Sequence, residues 1–85
     1  MPSDDLARRV LFISVSDISA IFGVSRTTAY QYRKMIVENC QERGIEKIFA
    51  PTGQLIARHV REALGLTIEE WRIAEAKIWE ANHRR

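Results

Sequence analysis

The 85-residue chain has a single cysteine, four isolated glycines and no apolar run longer than Val10-Leu11-Phe12-Ile13. Each scarcity excludes something. Cys40 has no second thiol with which to close an internal disulfide, and a zinc site needs several further ligands. A membrane helix needs ~20 consecutive apolar residues, so no span is expected. Met1-Pro2-Ser3-Asp4-Asp5 is acidic and lacks a basic region followed by an apolar stretch, so no secretory signal is expected. Gly23, Gly44, Gly53 and Gly65 stand apart, so there is no glycine-rich phosphate loop. No acid pair or nucleophile–base pair is recognisable, and the chain is too short to hold a separate cofactor domain. The expectation is a single, reduced, cytoplasmic domain over residues 1–85 that is not an enzyme and needs no cofactor or metal.

What is present is ordinary globular composition, 46% hydrophobic and 28% charged, enough for one modest core. The net charge of +2 is small but uneven. Residues 24–44 carry Arg26, Arg33, Lys34 and Arg43 against Glu38 and Glu42, and the stretch 24–37 holds three cations and no acid. A patch of this kind suits a polyanion, although the low overall charge implies weak non-specific attraction.

Local patterns give the elements. Residues 11–14 are β-branched and aromatic, which predicts an extended lead-in; a helix opening at Ser3, with Asp4 and Asp5 in its first turn, is the alternative. Ser16 or Asp17 is expected to cap a short helix running to Phe22, ended by Gly23. Ser25 is expected to cap a second helix from Arg26 to about Arg43, with Gly44 as its stop. Ile45, Ile48, Phe49, Leu55 and Ile56 are strand formers around the turn residues Pro51-Thr52-Gly53, which predicts a β-hairpin with its tip at 51–54. A short helix over 57–64 follows, stopped by Gly65. Thr67 and Glu70 have capping-box spacing, with Leu66 and Trp71 at staple positions, so the last helix is placed at about 68–82. Trp71, Ala74, Ile78 and Ala81 form its apolar stripe, widened by Trp79. Cys40 lies four residues after Ile36 on an apolar stripe and is expected to be a buried structural thiol. His59 is expected near the hairpin surface or a phosphate.

The region Ser16–Lys34 carries the functional signal. Ile18 and Phe22 are expected inside the first helix, with Ser19 or Ala20 as the small residue at the close approach. Val24 is expected to plug the corner, and Ala29 and Tyr32 to be the inward positions of the second helix, continued by Ile36. These positions have helix-turn-helix spacing, and Gly-Val-Ser-Arg-Thr-Thr-Ala-Tyr (residues 23–30) closely resembles that family. If Ala29 and Tyr32 face inward, then Arg26, Thr27, Thr28, Tyr30, Gln31 and Lys34 face outward. Arg26 is suited to guanine, Gln31 to adenine and Thr27 to a thymine methyl or a phosphate. Arg33 and Lys34 are suited to phosphates, as are the first amides of the helix near Ser25.

With its hairpin and following short helix, the stretch 11–66 looks like a winged helix-turn-helix. It is similar to the small excisionases and related regulators of phages and integrative mobile elements. The resemblance implies a mainly α fold with a short β-hairpin and, here, an extra C-terminal helix and tail over 67–85. It implies double-stranded DNA binding for recombination directionality or transcription regulation, with an integrase or recombinase as a further partner. The family's wing is usually basic at its tip, whereas Ala50-Pro51-Thr52-Gly53-Gln54 carries no cation. Wing contacts would then fall to Thr52, Gln54 and backbone amides, with Lys47 or Arg58 at the base. Three alternatives stay open. The chain can be an interaction module docking a recombinase, polymerase or repressor. It can supply DNA recognition in trans to a packaging or recombination enzyme. The last helix can carry a homodimer or a head-to-tail oligomer, and Arg84 and Arg85 can add phosphate contacts.

Overall fold

A computed structural model of the chain describes residues 9–83. The element order is β1 (Phe12–Ile13), α1 (Val15–Phe22), α2 (Arg26–Glu42), β2 (Leu55–Ile56), α3 (Ala57–Leu64) and α4 (Ile68–His83). The architecture is mainly helical with a small antiparallel sheet, pairing Phe12 with Ile56 and Ile13 with Leu55. On the other edge of β2, Phe49 bridges Leu55. The chain reverses between them: Ala50 N–H donates to the Gln54 carbonyl at 2.7 Å, and Ile56 N–H to the Ile48 carbonyl at 3.0 Å. The expected hairpin is thus present in a short form, and Leu55 at its centre is fully buried. The lead-in is extended at 12–13, and a helix opening at Ser3 lies outside the described residues, as do Arg84 and Arg85.

Caps explain the helix boundaries. Ser14, rather than Ser16 or Asp17, caps α1: its Oγ accepts from Asp17 N–H at 3.2 Å, and the Asp17 carboxylate accepts from Ser14 N–H at 3.0 Å. A reciprocal box satisfies two otherwise orphaned amides, which favours the start two residues earlier. Gly23 closes the helix at φ +65°, a left-handed conformation that glycine adopts without steric cost. Ser25 caps α2 as expected, accepting from Thr28 N–H at 3.3 Å. Thr67 and Glu70 form the box expected before α4, at 2.8 and 3.1 Å.

The core gathers Ile13, Ile18, Ala29, Ile36, Cys40, Leu55, Val60, Trp71 and Ile78. α1 packs against α2 and α4, and α2 against α3. Several inward assignments shift. Ile21 is buried where Phe22 was expected, and Phe22 is 41% exposed. Phe22 is the last helical residue, so its ring lies at the rim, meeting Tyr32 edge-on at 5.0 Å between centroids. The Ser19 hydroxyl donates to the Val24 carbonyl, bracing the corner. On α4, Trp71, Ala74 and Ile78 are buried as expected, but Ala81 is exposed. The stripe ends before it and instead includes Glu75, whose carboxylate accepts from Val10 N–H at 2.9 Å and from Arg72 at 2.7 Å. Those bonds explain how an acid is tolerated in the core. His59 sits half-buried on α3 beside Cys40 rather than at the hairpin surface. Its Nδ1 is 3.8 Å from Glu62, and its carbonyl lies 3.9 Å from the Cys40 sulfur.

Candidate nucleic-acid interface

The first two turns of α2 present the polar face that the spacing anticipates. Ala29, Ile36 and Cys40 point into the core, which turns Arg26, Thr27, Tyr30, Gln31 and Lys34 outward, all exposed. Tyr30 is 53% exposed, and no carboxylate occurs on the helix before Glu38. At the head of the helix the Ser25 hydroxyl donates to Thr28 Oγ1 at 3.1 Å, so both side chains are held at the cap. Thr28 is only half exposed.

The hairpin reaches across to the same helix. Arg33 donates to the Gly53 carbonyl at 3.4 Å and lies 5.2 Å from the centre of the Phe49 ring. The tip has no cation of its own in the sequence, yet α2 places a guanidinium on it. At the tip Thr52 Oγ1 and Gln54 Oε1 are 3.1 Å apart, with the hydroxyl as donor. Arg26, Tyr30, Arg33, Thr52 and Gln54 line one open cleft of about 370 Å³, together with residues 13–16. Five of the sequence-derived positions, from two stretches about twenty residues apart, thereby share one concave surface.

The other positions are placed differently. Thr27, Gln31 and Lys34 are exposed on α2 but do not line the cleft, and Ser25 and Thr28 are occupied with capping. Arg58 belongs to a separate cleft with Arg9, Arg61 and Arg72. Ser14 and Ser16 line the first cleft and were not singled out as site residues. For Ser14 the signal was there to be read, because Ser14-x-x-Asp17 is a capping box that fixes where α1 begins. For Ser16 no local pattern separates a groove-lining hydroxyl from a solvated one.

The chemistry of this surface is hydrogen bonding and charge. Among the described residues no group of three His, Cys, Asp or Glu side chains is placed to hold a metal ion. No helix among them is long and apolar enough to cross a membrane. The Cys40 thiol is held above its ordinary range, chiefly because burial penalises the thiolate, with the Arg43 charge working against that. Compared with protein-family models, with curated proteins and with solved structures, the chain matches none.

Proposed function

We propose that this chain binds double-stranded DNA by sequence, as a winged helix-turn-helix similar to the small excisionases and regulators of phages and mobile elements. The observation that carries the reading is the acid-free, outward face of α2, on which Gln31 is exposed beside Arg26 and Tyr30, the latter two sharing one cleft with Thr52 and Gln54. On this reading the first turns of α2 enter the major groove, where Arg26 pairs with a guanine edge and Gln31 with an adenine edge. The helix N-terminus and Lys34 hold backbone phosphates. The hairpin, whose charge comes from Arg33, follows the adjacent strand through Thr52, Gln54 and backbone amides. Nothing is chemically transformed; the output is occupancy of a site, with bending of the duplex where a larger recombination or repression complex has to assemble.

The test starts with selection of a target duplex from a random 20-base-pair library. Arg26→Ala with Gln31→Ala then removes two base contacts worth about 1–3 kcal/mol each. The expected loss is about 30-fold or more in affinity, with an unchanged circular dichroism spectrum. The slope of log K against log salt should be shallow, about −3, for a surface that neutralises three or four phosphates. A double variant that holds the selected duplex as tightly as the parent would refute the reading.

A further inference from the structure

The second cleft, of about 440 Å³, is built on other principles than the first. It lies where the lead-in at 9–11 and the start of α3 meet the first turns of α4, and no residue of α2 contributes to it. Its rim carries Arg9, Arg58, Arg61 and Arg72. Its single acid is Glu75, which is buried, with both carboxylate oxygens already engaged, one by Arg72 and one by Val10 N–H. Arg61 also donates to the Leu66 carbonyl at 3.2 Å. Arg58 is exposed and forms no ion pair among the described residues. Among the described residues, the cleft therefore has positive charge to offer and no free acid to answer it.

Between the arginines the lining is apolar. Leu11 is 71% exposed and Ile68 55% exposed, two large aliphatic side chains left beside the nearly buried Trp71. A phosphate backbone would match the arginines but leave Leu11 and Ile68 hydrated. A segment with carboxylates flanking apolar anchors satisfies both, because the anchors cover the aliphatic floor while guanidiniums pair with the acids at the rim.

We infer that this cleft docks an acidic, amphipathic segment of a partner protein. The surface is independent of the α2 face, so the two can be occupied together and the chain can join a duplex to a second protein. Its failure and that of the DNA reading are separable, because the two sites share no lining residue.

The experiment pans a phage-displayed library of random 16-residue peptides against the full chain and measures the recovered peptides by fluorescence polarisation. Arg58→Glu and Leu11→Ser serve as variants, both at exposed positions, with circular dichroism checking that each keeps the parental fold. The expected result is a set of peptides rich in Asp and Glu around Leu, Ile or Phe. Their affinity should fall about tenfold with Arg58→Glu and about fivefold with Leu11→Ser. Binding should weaken as salt rises, while the Arg26→Ala and Gln31→Ala variant binds the peptides as the parent does. Recovered peptides that are neutral or basic, or that bind both variants at parental affinity, overturn the inference. So does a non-cognate duplex that binds the parent and is released by Arg58→Glu, which would make the cleft a phosphate surface. Self-association in sedimentation that Arg58→Glu abolishes would assign the cleft to a second copy and overturn it equally.

Discussion

The two long helices, α2 with 17 residues and α4 with 16, use their polar residues in opposite ways. α2 buries small and aliphatic groups on one side and leaves on the other a cationic face that forms no ion pair among the described residues. α4 takes a carboxylate into its buried face, where Glu75 ties the lead-in at Val10 to Arg72 and Trp71 is buried at 5% exposure. On α4, Arg72 and Glu75 are engaged in holding the molecule together, whereas on the front of α2 Arg26, Gln31 and Lys34 are exposed and make no side-chain bond among the described residues. An exposed polar face is informative about function where the same chain elsewhere commits its charges to bonds of its own.

That contrast is sharpest at Glu75. Glu75→Ala should lower the unfolding free energy by about 2–3 kcal/mol, because it strips Val10 N–H and Arg72 of their acceptor in a nearly dry setting. Urea midpoints measure it, and a loss well below about 1 kcal/mol would mean that the lead-in is not anchored through this carboxylate. Ser14→Ala breaks the box that begins α1 and should cost about 1 kcal/mol. Arg26→Ala with Gln31→Ala, severe for duplex binding, should leave the same urea midpoint within about 0.5 kcal/mol of the parent. A marked destabilisation there would erase the distinction between the two helices, since it would make the front of α2 structural.

The smallest effect concerns Cys40. Its thiol is held above the ordinary value of 9.0 by burial, so the folded state favours the protonated form. Stability from this source is intact below the unfolded value and drains away as the pH rises past about 9. The check is a urea series at pH 8, 9 and 10 on the parent and on Cys40→Ala. The parent should lose more stability across the series, and parallel slopes would remove Cys40 as the cause.

Much of the scaffold was legible because its signals are local. Ser25, Gly23, Gly65 and the Thr67–Glu70 box set helix ends through bonds spanning only a few residues. The inward set was harder. Helical spacing offers both Ile21 and Phe22 for the inner face of α1, and only the crossing with α2 and α4 selects Ile21. The same periodicity extends the α4 stripe to Ala81, beyond the point where neighbouring elements cover it. His59 went astray for a related reason: its place follows from α3 packing on α2 rather than from its distance to the hairpin.

By itself, then, the order of residues determined where helices start and stop, that α2 has an acid-free front, and that Cys40 faces inward. All of these depend on atoms within about two helical turns of one another. Only the tertiary structure decided that Arg33 charges the hairpin tip, that Arg26 and Thr52 face one cleft, and that Glu75 is buried against Val10. Those pairings join residues 20 and more positions apart, 65 in the case of Val10 and Glu75. No local periodicity carries such proximity, because it is set by how whole elements pack.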